Sequence, residues 1–244
     1  MSANRQAKQG RIGIMTLLRA GNGILAAPKR PMVLGLLGLV LTILIGFGAR
    51  IFSAATEASF GFDRLLHDGK NPVSHALAKL LDGLDKPTVV AIILILLGIA
   101  VTFWRGWMPA LGVVLVVGFG WLLTAIVKLL VAEPRPSAAF DPAMQEQALS
   151  FPSGHVAFVA ALTVGVGAVL AGSRWRWPAV IALSVLAVVT AYTRLYLGVH
   201  YPVDVLGGML GGVAGAVFTL GIWNTVVRLL APAGSTSRPA TSRH

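Results

Sequence analysis

Residues 107–136 read WMPALGVVLVVGFGWLLTAIVKLLVAEPRP. From Trp107 to Val127 there is no ionisable side chain. A helix over that run rises about 1.5 Å per residue, enough to cross a hydrocarbon core of ~30 Å. The run stops at Lys128. Glu133-Pro134-Arg135-Pro136 cannot prolong it, because proline lacks the amide donor and collides with the preceding turn. An apolar span that ends in a lysine, breaks on two prolines and keeps an arginine between them sets the pattern for the whole chain.

Five further runs have similar length: Pro31–Ala49, Pro87–Trp104, Val156–Ser173, Trp177–Thr193 and Val205–Val227. The 244 residues are 56% hydrophobic and only 12% charged, where a soluble domain carries about 25% charge. These features predict an all-α integral membrane protein, a six-transmembrane-helix bundle over residues 31–230. A basic cytoplasmic segment, 1–30, precedes it, and a disordered tail, 231–244, rich in Pro, Ser, Thr and Arg, follows. The first outer segment, Arg50–Lys86, carries Val73, Leu77, Leu80, Leu81 and Leu84 at helical spacing, which predicts a short amphipathic interfacial helix. His67 and His75 in that segment read as ordinary polar residues. Gly207, Gly208, Gly211, Gly212 and Gly215 form a small-residue face suited to close helix packing.

The net charge of +11 follows topology rather than nucleic-acid binding. With both termini in the cytoplasm, twelve of the 20 Lys and Arg fall inside, and all nine Asp and Glu fall outside. That is a positive-inside distribution. It predicts a multi-pass cell-membrane protein whose charged helix ends, near Lys128, His155 and Arg194, face the extracytoplasmic side. The chain has no cysteine, so disulfides and thiol chemistry are excluded.

Ionisable groups inside a membrane protein mark function by default, and here they suit phosphate chemistry. Lys128, Arg135 and Arg194 can hold equatorial phosphate oxygens, the arginines through bidentate forks. Ser153 precedes the apolar run at 156, so Ser153 and Gly154 offer backbone N–H groups at a helix N-terminus. The Ser153 hydroxyl has two competing uses, capping that helix or donating to phosphate. His200 lies four residues before Asp204, close enough for the carboxylate to fix the tautomer and leave one nitrogen free to attack phosphorus. His155 suits protonating the leaving oxygen and later activating water. Glu133 reads as the salt-bridge partner of a neighbouring cation. Tyr192, Tyr196 and Tyr201 read as interface anchors first and substrate contacts second.

These stretches resemble the type 2 phosphatidic acid phosphatase family, whose site is shared with the vanadium haloperoxidases. The resemblance rests on Lys128 separated by six residues from Arg135-Pro136, on Pro152-Ser153-Gly154-His155, and on Thr193-Arg194 followed by His200 and Asp204. Thr193 stands where the family usually has serine, which keeps the hydroxyl. The resemblance implies catalytic roles for His200, as a phosphohistidine, for His155, as acid and base, and for Asp204. It assigns phosphate binding to Lys128, Arg135, Ser153, Gly154 and Arg194, and it calls for no metal or other cofactor. The expected partners are the bilayer and a lipid phosphate, not nucleic acid. A polyprenyl diphosphate of the undecaprenyl type is the leading substrate expectation, ahead of phosphatidylglycerol phosphate and phosphatidic acid. Alternative readings are a lipid headgroup phosphotransferase and a non-catalytic lipid-phosphate binder or flippase.

Overall fold

A computed structural model describes residues 23–69, 71–136 and 149–230. The tail expected to be disordered, most of the basic N-terminal segment and residues 137–148 lie outside these residues. Among the described residues, eight helices follow in order: α1 (Pro31–Ile51), α2 (Ser53–Asp68), α3 (Pro72–Leu81), α4 (Pro87–Arg105), α5 (Trp107–Val131), α6 (Gly154–Val169), α7 (Arg176–Tyr196) and α8 (Pro202–Leu230).

Local chemistry sets these bounds. Proline begins α1, α3, α4 and α8, where its missing N–H costs nothing and its fixed φ suits the first turn. The Asn71 side chain caps α3 by accepting from Val73 N at 2.9 Å. Chain reversal between α4 and α5 falls on Gly106, at φ 92, a conformation that disfavours any side chain. At the end of α5, Ala132 turns left-handed and its N–H bonds Lys128 O. Arg50 Nη1 also donates to Val131 O at 2.7 Å, so the last turn of α1 caps the last turn of α5.

Five helices, α1, α4, α5, α7 and α8, are long and apolar enough to cross a membrane. The sixth expected span, Val156–Ser173, appears as α6, apolar but 16 residues long, short of the ~20 that a full crossing takes. Its apolar run outlasts the helix because a turn follows Val169 and Gly172 adopts φ 78. Large apolar side chains such as Leu37, Ile95, Phe103, Leu129 and Ile181 point outward, as a lipid-facing surface requires.

Residues 50–86 hold two helices rather than one. α2 was not expected: its inward stripe, Thr56, Phe60 and Asp63, is narrow and half polar. α3 is present, yet it turns Ser74, Ala78 and Leu81 inward and leaves Val73 and Leu80 exposed. Its apolar stripe is thus split, with Leu81 packed on the protein and Val73 and Leu80 left outside. α3 docks on α7, and α2 touches α7 and α8.

α8 is the shaft of the bundle, packed against α1, α5 and α6. Close approach explains its glycine stripe. A Cβ on Gly208 would lie 2.6 Å from Ser153 O, and one on Gly120 of α5 would lie 2.8 Å from Ala216. Backbone cannot yield as a side-chain tip can. Gly208→Ala is therefore expected to cost about 1–3 kcal/mol through overpacking, read as a lower melting temperature in detergent. An unchanged melting temperature would show that α6 and α8 can part freely.

Candidate active site

The three motifs converge at one end of the bundle because a short pairing of residues 149–150 with the chain after α5 joins them. Ser150 N donates to Glu133 O at 2.7 Å, and Pro134 pairs with Leu149. Lys128, in the last turn of α5, sends Nζ to Leu149 O at 3.2 Å and to Ser150 O at 2.9 Å. Arg135 Nε donates to Leu149 O at 3.3 Å. Both cations of the first motif thus hold the strand that leads into the second.

That strand delivers Phe151 and Ser153, both fully buried, to the start of α6. Ser153 N donates to Asp204 O at 3.0 Å, which ties the second motif to the third. Ser153 occupies the N-cap position, yet its side chain does not cap the helix. The buried Oγ has no hydrogen-bond partner. Of its two possible uses, capping is therefore excluded in this arrangement. Gly154 begins α6, and His155 follows it, 5% exposed.

In the third motif, His200 and Asp204 are buried, and His200 Nδ1 lies 3.3 Å from Asp204 Oδ2. The same carboxylate oxygen accepts from Tyr201 N at 2.8 Å and from Ser150 Oγ. Ser150 Oγ is also 3.3 Å from His200 Nδ1. With Nδ1 engaged, Nε2 is the nitrogen available for reaction. Thr193 donates its hydroxyl to Thr190 O at 2.8 Å, within its own helix. The retained hydroxyl therefore faces the helix backbone. Arg194 is 2% exposed; its Nη1 pairs with Asp82 Oδ1 at 2.9 Å and its Nη2 donates to Ala78 O at 3.1 Å.

Every residue expected at the site is in or beside this cluster, and three contributors were not expected. Asp82 and Asp85, on the turn between α3 and α4, meet Arg194 and His155. Asp85 Oδ2 is 2.9 Å from His155 Nδ1, and His155 Nε2 donates to Asp82 O at 2.8 Å. The available sequence signal was two acids three residues apart at the end of an outer segment, opposite a basic cluster. Ser150 carried no signal beyond its place before Phe151-Pro152. The tyrosines are not exposed anchors: Tyr196 and Tyr201 are buried, and Tyr192 OH bonds Ser74 Oγ at 2.8 Å. Packing of α2 and α3 covers them, with Tyr201 edge-on to Phe60.

Residues 109–228 contain all three motifs and match the family described as the PAP2 superfamily; the chain belongs to that family. The chain is similar, at 32% identity over 126 residues, to phosphatidylglycerophosphatase B of Bacillus subtilis (strain 168), covering 50% of this chain and 61% of the relative. It is 35% identical over 111 residues to an undecaprenyl-diphosphatase of Sulfolobus acidocaldarius, covering 42% of this chain and 50% of the relative. The chain thus spans about half to three-fifths of the length of these relatives. The crystal structure of a transmembrane PAP2-type phosphatidylglycerolphosphate phosphatase from Bacillus subtilis shares the fold, with a TM-score of 0.62 at 23% identity. That match covers 85% of this chain and 100% of the other.

The electrostatics follow from burial among cations. Burial first, then the charges of Arg135, Lys128, His155 and Arg194, push His200 well below the ordinary histidine range, so its ring is neutral at pH 7. Burial alone would raise Asp85, but contact with His155 and the charges of His155, His200 and Arg194 hold it below the usual carboxylate range. Burial and the charge of Asp204 raise Glu133, with Arg50 opposing. Its Oε2 has no hydrogen-bond partner, so this oxygen takes no part in the ion pair expected of Glu133.

Asp63, on α2, is fully buried with neither carboxylate oxygen hydrogen-bonded. Burial, then the charge of Asp204, pushes it up to about 7. A raised folded value means that folding favours the protonated form. Its stability is complete below the unfolded value, about 3.9, and is lost as pH rises through 7. Asp63→Asn is therefore expected to raise the melting temperature more at pH 8 than at pH 5. Equal shifts at both pH values would show that Asp63 finds a charge partner in the folded protein.

Proposed function

We propose that this chain is an integral-membrane lipid phosphatase that hydrolyses a lipid phosphomonoester or diphosphate through a phosphohistidine on His200. One observation carries the reading. A neutral imidazole, oriented by a buried carboxylate, shares one end of the bundle with three cations and a helix N-terminus whose serine hydroxyl is unspent. Phosphoryl transfer asks for that combination: an in-line nucleophile, charge on the equatorial oxygens and a proton for the leaving group.

In the first step His200 Nε2 attacks phosphorus, the P–N bond forms and the bond to the leaving oxygen breaks. His155 gives its Nε2 proton to that oxygen. In the second step His155 takes a proton from water as the water oxygen attacks phosphorus and the P–N bond breaks, returning His200. Asp204 holds Nδ1 and steadies the positive ring. Lys128, Arg135, Arg194, the Ser153 hydroxyl and the N–H groups at Ser153 and Gly154 bind the phosphate oxygens. The route draws on no metal.

A polyprenyl diphosphate of the undecaprenyl type is the first substrate choice, with phosphatidylglycerol phosphate and phosphatidic acid next. The names of the two relatives above support the first two of these. The reading includes six membrane passages, with α6 as the short one, and α2 and α3 lying on the outer interface. The charge distribution supports cytoplasmic termini and a site facing the extracytoplasmic side.

The test is phosphate release from a panel of lipid phosphates by purified protein in detergent with EDTA present. Wild type is expected to turn over and to be inhibited by vanadate, while His200→Ala loses at least about 10³-fold. Activity that EDTA abolishes, or that survives in His200→Ala, overturns the mechanism. A reporter fused after residue 244 is expected to be active only in the cytoplasm; an extracytoplasmic signal reverses the orientation.

A further inference from the structure

We propose that Asp85 is a positioning residue for His155, so that the site holds two histidine–carboxylate pairs rather than one. The inference rests on the phosphatase reading, in which His155 is the acid and base. Asp85 lies outside the three motifs and reaches the site only through the fold.

The geometry parallels that of the nucleophile pair. Asp204 Oδ2 faces Nδ1 of His200 at 3.3 Å, and Asp85 Oδ2 faces Nδ1 of His155 at 2.9 Å. His200 Nδ1 is hydrogen-bonded to its carboxylate, whereas His155 Nδ1 is in ion-pair range of Asp85 without a hydrogen bond, and His155 Nε2 also lies 3.3 Å from Arg194 Nη1. His155 Nε2 points its proton at an oxygen, Asp82 O, 2.8 Å away. A leaving oxygen must take up that same relation to the ring.

Asp85 is built into its place rather than swung there from a free surface. α3 is anchored on α7 by Ser74, Ala78 and Leu81, all buried, and by Arg194 bonding Ala78 O. The turn after it is closed by Asp82 N to Lys79 O, Leu84 N to Leu81 O and Lys86 N to Gly83 O. Pro87 then starts α4. The Asp85 side chain is 12% exposed. Gly154 completes the fit, because a Cβ there would stand 2.8 Å from Asp85 Oδ2. Any larger residue at 154 would press on the carboxylate over the start of α6.

Asp85, against Nδ1, turns Nε2 toward the leaving oxygen, which takes the Nε2 proton as its bond to phosphorus breaks. When His155 later takes a proton from water, the same carboxylate stabilises the cation produced. Asp85 itself gains and loses no proton. Its effect therefore scales with how much the leaving group needs a proton, a dependence that a merely structural residue would not show.

The experiment compares Asp85→Asn with wild type on two substrates, a short-chain alkyl lipid phosphate and an aryl phosphate whose nitrophenol leaves without protonation. On the alkyl substrate kcat/KM, which reports only the step that releases the leaving group, is expected to fall by about 10–100-fold. On the aryl substrate the fall is expected to be no more than a few-fold. Asp85→Glu, which keeps a carboxylate, is expected to recover part of the alkyl activity and guards against a variant that fails to fold.

An equal loss on both substrates overturns the inference and makes Asp85 structural. A fall in KM with a rise in kcat also overturns it, because Asp85 would then be an anion that substrate must displace. A wild type inactive on both substrates removes the phosphatase reading, and the inference with it.

Discussion

One buried carboxylate holds the site together. Asp204 is fully buried, and a charge in that position needs donors, or its desolvation is uncompensated. Its Oδ2 meets Ser150 Oγ, Tyr201 N and His200 Nδ1, while its backbone carbonyl accepts from Ser153 N. Residues from the strand before α6, from the cap of α6 and from the turn before α8 are thereby ordered about a single side chain and its peptide. The cations of the first motif then hold the same strand from the other side, through the carbonyls of Leu149 and Ser150. The three motifs are one hydrogen-bonded body with Asp204 at its centre.

The helices exist to place that body. α8 carries Asp204 in its first turn and runs down the middle of the bundle, and its glycines bring the backbones of α5 and α6 close. At each end the needs of the backbone and of the site coincide. The left-handed turn at Ala132 ends α5 just past Lys128, and Arg50 satisfies one of the carbonyls left over. Pro202 begins α8 directly after His200 and Tyr201. Charge at a helix end is usually a matter of the macrodipole; here the same residues also tie the three motifs together.

Much of this was legible in the sequence because it is encoded locally. Apolar runs, proline breaks and the spacing of Lys128, Arg135, Ser153, His155, Arg194, His200 and Asp204 can be read without knowing any distant contact. The parts that could not be read depend on docking. Asp82 and Asp85 lie on the polar side of a segment that looks like any interfacial helix, and only the packing of α3 on α7 carries them to Arg194 and His155. Residues 53–68 have too narrow an apolar stripe to announce α2. The apolar run at 156–173 promised a full span, but hydropathy does not register where a turn with a left-handed glycine ends α6. Tyr196 and Tyr201 have the composition of interface anchors and become buried only because α2 and α3 cover them.

The bond from Ser153 N to Asp204 O has a mechanical consequence. The cap of α6 and the first turn of α8 are tied backbone to backbone, so a tilt of the shaft carries Ser153, Gly154 and the His200–Asp204 pair together. α2, α3 and the turn bearing Asp82 and Asp85 are joined to that pair by side chains alone. Two kinds of bond thus meet at the site: a backbone tie that joins α6 to α8, and side-chain ties, Arg194 to Asp82 and His155 to Asp85, that join both to the turn before α4.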